Sequence, residues 1–155
     1  MDKQTQDALR DRALALLGRR AMSRRELIDK LVRKGESPEA AEEVADWLEE
    51  TGLLNDADYA EQVVRHYAEK GYGQKRIEQE LWRRGIAKDL RHTALEAMPQ
   101  NDDALDRFIQ TKLRGNIPDK AEEKRVADAL ARRGYNWDEI SAGMRRYKEQ
   151  LIIDN

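Results

Sequence analysis

Cysteine is absent from this 155-residue chain. That excludes disulfides, thiolate zinc sites and a cysteine nucleophile. No apolar run approaches the roughly 20 residues that a membrane-spanning helix needs. The first residues, Met1-Asp2-Lys3-Gln4-Thr5-Gln6-Asp7, hold neither a basic nor an apolar leader segment, so the expectation is a soluble cytoplasmic protein. Histidine is scarce: His66 and His92 lie far apart, without metal-ligand spacing. Ser23 and Ser37 precede helical patterns as caps, and Ser141 has no nucleophile elbow around it. No glycine loop cradles a phosphate. Carboxylates such as Glu42 and Glu43 are sequence neighbours, so on a helix they point in different directions. The expectation is a non-enzyme that needs no metal or cofactor.

A large charge of one sign is also lacking. There are 29 Lys/Arg against 31 Asp/Glu, a net −2. The average hides alternation. Residues 19–35 carry seven basic residues and two acidic ones. Residues 36–64 carry ten acids and no Lys or Arg, and residues 65–91 carry eight bases against four acids. A folded chain with this pattern has separate positive and negative faces, solvated or partner-binding.

The chain repeats at offsets of 50 and 49. Ser23–Gly35, Gly73–Gly85 and Glu122–Gly134 align without gaps. All three share an aliphatic residue (Leu27, Ile77, Val126), a leucine four positions on (Leu31, Leu81, Leu130), two closing bases and a glycine. The aliphatic pair marks one face of a helix, and the glycine fits a left-handed C-terminal cap. Each such helix is expected to have one before it (Ala8–Arg20, Asp58–Lys70, Ala104–Arg114) and one after it (Pro38–Thr51, Lys88–Met98, Asp138–Glu149). Ser23 with Glu26 reads as a capping box, Ser37-Pro38 as a helix start, and Asn55-Asp56 as another. Pro99 and Pro118 fall between helices. No segment alternates like a strand.

The fold class expected is all-α: three tandem three-helix repeats, at 1–54, 55–98 and 99–155, forming an elongated, curved structure. Core candidates include Leu14, Leu17, Leu27, Leu31, Val44, Trp47 and Leu48 in the first repeat. The second offers Tyr59, Val63, Tyr67, Ile77, Leu81, Leu90 and Leu95, and the third Phe108, Leu113, Val126, Leu130, Trp137, Ile140 and Met144. Units this thin gain stability by sharing faces with neighbours. Leu151-Ile152-Ile153 reads as a tail that either docks on the last repeat or meets a partner. Trp82 reads either as a solvent-facing contact or as part of an interface between repeats.

Gly52-Leu-Leu-Asn-Asp-Ala-Asp-Tyr-Ala60, Gly71-Tyr-Gly-Gln-Lys-Arg-Ile77 and Glu80-Leu-Trp-Arg-Arg-Gly-Ile86 resemble the central motif of the RecX regulatory proteins. Leu16 to Leu27 resembles the family's opening helix pair, and the likeness extends over about residues 8 to 150. Leu53 stands where the family often has Tyr, Asn55 for the first Asp, and Tyr59 for Phe. The resemblance implies a negative regulator of the RecA recombinase. Such a protein binds the RecA filament on single-stranded DNA, in its groove. It inhibits ATP hydrolysis, strand exchange and coprotease activity and favours filament loss.

Candidate partner-binding residues follow from recurrence. Bases open the second helix of each repeat (Arg24, Arg25, Lys75, Arg76, Lys124, Arg125) and close it (Arg33, Lys34, Arg83, Arg84, Arg132, Arg133). The helix dipole accounts for the closing set but disfavours the opening one. Lys70 and Tyr72 lie in an aromatic-plus-basic loop with Tyr67. Such loops stack bases in some proteins, while such tyrosines also pack cores with the hydroxyl outward. Two functional classes stand. One is a monomeric filament regulator with weak DNA binding as an accompaniment, favoured by the acidic balance. The other is a DNA-binding module, which would lose affinity steeply with salt.

Overall fold

The computed structural model describes residues 2–100 and 102–154. Among these there are nine helices and no strand: α1 Lys3–Arg19, α2 Arg24–Arg33, α3 Pro38–Glu50, α4 Asp56–Glu69, α5 Gln74–Arg83, α6 Lys88–Glu96, α7 Asp102–Leu113, α8 Lys120–Arg132 and α9 Trp137–Asp154. The fold is an all-α helical repeat.

Local chemistry sets the helix starts. The Ser23 hydroxyl accepts from the Glu26 N–H, and the Glu26 carboxylate accepts from the Ser23 N–H. That capping box satisfies two otherwise orphaned donors. Ser37 caps α3 with Pro38 at its first position, and the Asn55 side chain accepts from the Asp58 N–H. A second capping box, Asp119 with Glu122, opens α8.

Five sequence expectations need correction. Helix α1 starts at Lys3, capped by Asp2, five residues before Ala8. Asp119 starts α8 ahead of Glu122. The docked tail is instead the end of α9: Leu151 packs against the core, while Ile152 and Ile153 are 77% and 74% exposed. Trp137, at the first turn of α9, is 71% exposed, and Leu14 also lies at the surface.

The chain forms two compact units. One comprises Met1–Gln62 with Leu81–Ala94, the other Val63–Glu80 with Leu95–Asn155. In the first unit, Leu9, Leu16, Leu27, Leu31, Val44 and Leu48 form one buried cluster. Each such side chain contributes about 1.5–3 kcal/mol by leaving water. In the second, Leu105, Ile109, Leu113, Val126, Leu130 and Ile140 do the same for α7, α8 and α9. Helices α7 and α9 are also tied by Arg146, whose guanidinium meets the Asp106 carboxylate at 2.8 Å.

Each unit contains one joint between the end of a second helix and the start of another. In the first, Gly85, just past α5, sits against α2. A Cβ there would lie 2.5 Å from the Arg25 Cβ. The Ser23 hydroxyl donates to the Arg84 carbonyl. In the second, Gly134, just past α8, sits against the start of α5. A Cβ there would lie 2.4 Å from the Arg76 nitrogen. The Gly73 N–H donates to the Arg133 carbonyl at 2.7 Å, and the Lys75 N–H to the Gly134 carbonyl at 3.2 Å. Both glycines have positive φ, +80° and +99°, which side chains with a Cβ rarely adopt. In each joint, carbonyls at a helix C-terminus meet donors at a helix N-terminus. Unlike partial charges face one another and satisfy groups that helix ends leave open.

Candidate partner-binding surfaces

The joints divide the recurring bases into two populations. Arg84 donates to the Tyr59 hydroxyl at 2.6 Å and lies over its ring. Burial raises the Tyr59 pKa, a hydrogen bond with Glu26 adds to the rise, and Arg84 opposes it. The phenol therefore stays neutral. Arg133 donates to the Lys70 carbonyl and stacks over both Tyr72 (5.4 Å) and Phe108 (4.8 Å). Arg76 also lies over the Tyr72 ring, at 5.5 Å, and pairs with buried Glu80 at 3.7 Å. Arg24 is half-buried and paired with Asp46 (2.9 Å) and Glu49 (3.0 Å). Tyr72, Arg24, Arg76, Arg84 and Arg133 thus all take part in intramolecular contacts. Cation–ring contacts of this kind are worth about 0.5–2 kcal/mol each.

The remaining recurring bases lie at the surface. Arg25, Lys75, Arg83, Arg125 and Arg132 are exposed, as are Arg33 and Lys34. Lys124 is exposed and bonded to Asp128 one turn on, at 2.9 Å. Lys70 is exposed, its ammonium 5.8 Å from the Tyr67 ring. Trp82 is 69% exposed, so of its two readings the solvent-facing one matches the structure.

Two surfaces in the second unit combine residues that no motif had grouped. Between α8 and α9 runs a groove of about 740 Å³, lined by Trp137, Ile140, Met144 and Ile152 among others. The Ser141 hydroxyl in its wall is buried with no hydrogen-bond partner among the described residues. Lys124 and Lys148 flank it, each tied to an acid, Asp128 and Glu123. Between α7 and α8 lies a smaller groove of about 340 Å³, where Lys112 joins Arg125 and Arg132. Lys112 has no counterpart among the recurring bases, so repetition gave no signal for it. Among the described residues, no group of His, Asp or Glu is arranged to hold a metal, and no helix is long and apolar enough to cross a membrane.

Comparison with known proteins identifies the chain. The model of the first three-helix domain of RecX matches residues 10–48, and that of the second matches residues 55–95. "Regulatory protein RecX" of Halorhodospira halophila is 40% identical over 138 residues, which is 88% of this chain and 86% of that protein.

The chain belongs to the RecX family.

A second RecX relative, from Pseudomonas syringae pv. tomato, is 38% identical over 135 residues, 86% of this chain and 87% of its own. The crystal structure of RecX from Lactobacillus salivarius superposes with a TM-score of 0.85, covering 92% of this chain and 96% of that one at 20% identity. At that identity the likeness concerns the fold. RecX proteins are regulators by name, and the joints described above lie between segments of this regulatory family's helical repeat.

Proposed function

We propose that this protein is a negative regulator of the RecA recombinase. It binds the RecA filament on single-stranded DNA in the filament groove, inhibits ATP hydrolysis, strand exchange and coprotease activity, and favours filament loss. The observation that carries this reading is the 40% identity to a RecX regulatory protein over 88% of the chain. It acts in the cytoplasm as a monomer, and the three sequence repeats, 1–54, 55–98 and 99–155, are its working modules. The α8–α9 groove suits a protein partner. Exposed tryptophan and isoleucine beside a buried hydroxyl make an anchor of the kind that concentrates binding energy. The exposed bases Arg25, Lys75 and Arg125 of the recurring pairs face acidic or phosphate groups of the filament, with Arg83 exposed beside them. Lys70, Arg132 and Lys124 add to them, while Arg24, Tyr72, Arg76, Arg84 and Arg133 position the helices that carry them.

The test is titration of the protein into RecA hydrolysing ATP on single-stranded DNA, with a Trp137→Ala/Ile152→Ala variant beside it. The wild type is expected to inhibit well below one molecule per RecA. The variant, which removes exposed side chains only, is expected to keep its thermal melt and need at least about tenfold more protein, the loss of one strong anchor. An unchanged ATPase rate at a molar excess of wild type would end the RecA reading.

A further inference from the structure

Helix α8 has two dissimilar flanks. Its α9 side is the apolar groove. Its α7 side is the 340 Å³ groove, where Lys112, Arg125 and Arg132 converge. The apolar residues at the base of this second groove, Leu113 and Val126, are 3% and 5% exposed. It offers no open aromatic or aliphatic anchor. Its single acid, Glu122, is engaged in the α8 capping box, where its carboxylate accepts from the Asp119 N–H. The three bases form no ion pair among the described residues, and Lys112 rests 5.5 Å from the Phe108 ring. Arg125 and Arg132 are seven residues apart on one helix face, a separation of about 10 Å along the axis.

From this arrangement we infer that the α7–α8 groove is a phosphodiester cradle for single-stranded DNA, with Lys112, Arg125 and Arg132 as its cationic contacts. A polyanion of evenly spaced charges needs only cations in line, and its affinity comes from counterion release. An acidic protein segment would bring side chains that seek an apolar anchor, which this groove lacks and its neighbour has. Guanidinium groups add bidentate geometry toward phosphate. This site goes beyond the RecA reading and is testable without RecA.

The experiment is fluorescence anisotropy of a labelled oligo-dT across a sodium chloride series. Wild type is compared with Lys112→Ala/Arg125→Ala/Arg132→Ala. A control, Arg19→Ala/Arg65→Ala/Lys88→Ala, removes the same charge from exposed positions elsewhere. Three single-strand contacts contribute about −2 to the log–log salt slope, or about 16-fold in affinity between 50 and 200 mM salt. The groove variant is expected to lose that slope while its melt stays that of wild type, and the control to retain it. Three results overturn the inference: equal slopes in the two variants, no binding by wild type at low salt, or displacement of the oligonucleotide by polyglutamate at equal charge concentration. The last would assign the groove to an acidic protein segment. None of the three bears on ATPase inhibition, so this inference and the RecA reading fail separately.

Discussion

The two joints solve one geometric problem with different chemistry. In the first unit, α2 opens with Ser23, and a side-chain hydroxyl reaches the Arg84 carbonyl. In the second, α5 opens after Gly73, and the backbone itself closes on Gly134. A Cβ on Gly73 would lie 2.5 Å from the Gly134 carbonyl carbon. The side chains around them differ as well. Arg84 meets one tyrosine, whereas Arg133 is held by Tyr72 and Phe108 together, and the Tyr135 hydroxyl donates to the Gly71 carbonyl at 2.8 Å. Serine spans the gap in one case, and in the other its absence lets two main chains touch. The backbone position of the second glycine is what both joints share, and the surrounding side chains are free to vary.

That comparison is sharpest at the glycines. Gly134→Ala is expected to cost about 4 kcal/mol, because a strained positive φ adds to overpacking against backbone atoms that cannot swing away. Gly85→Ala meets the Arg25 side chain instead and is expected to cost about 3 kcal/mol, partly recovered by Arg25→Gly. Gly35→Ala shares the positive φ, +105°, but a Cβ there has open space, so only about 1 kcal/mol of strain is expected. Urea melts of the three variants test the ranking. Equal costs at the three sites would mean that the close approaches contribute nothing.

A smaller effect separates hydroxyl from backbone closure. Ser23→Ala removes both a cap acceptor and the donor to Arg84, an expected loss of about 2 kcal/mol. Tyr135→Phe removes one neutral hydrogen bond and is expected to cost about 1 kcal/mol. A larger loss for Tyr135→Phe would reverse the assignment of Ser23 as the principal polar link.

The smallest expected difference lies in pH response. Asp56 accepts from the Arg24 N–H at 2.8 Å in the first unit. Burial raises its carboxyl above the ordinary aspartate value, against the lowering effect of that N–H. A raised folded-state pKa means the folded chain holds the proton more tightly. The resulting stability is fully present below the unfolded pKa and is lost as pH rises through the folded one. Asp56→Asn keeps an acceptor and removes the titration. Its stability relative to wild type should therefore increase from acid to neutral pH. A pH-independent difference between the two would remove the burial argument.

Helix boundaries were legible where a side chain touches its own neighbourhood. Ser23 with Glu26, Ser37 with Pro38, and the glycines after each basic pair announced α2, α3, α5 and α8 within a turn. Asp119-Lys-Ala-Glu122 is an equally readable box, overshadowed by the repeat register that begins at Glu122. The joints were not legible, since Arg25 meets Gly85 and Arg76 meets Gly134 across 60 and 58 positions of sequence. For the candidate sites this mattered most. Recurrence singled out pairs of bases but gave no way to tell which of them faced water. Trp137 counted as core on its apolar character alone, and its 71% exposure places it on a surface.

The position after the joint glycine differs at the array's beginning. Ile86 and Tyr135 are buried there in the second and third repeats, but the first repeat has Glu36, which pairs with Arg12. At the other end, α8 begins a turn before the register of Ser23 and Gly73, so the amides that would receive another glycine already lie within a capped helix. A head-to-tail contact that does not close on itself invites open-ended polymerisation when its two faces are left bare. Here Glu36, paired with Arg12, and the capped start of α8 take those two positions, so neither repeats the joint.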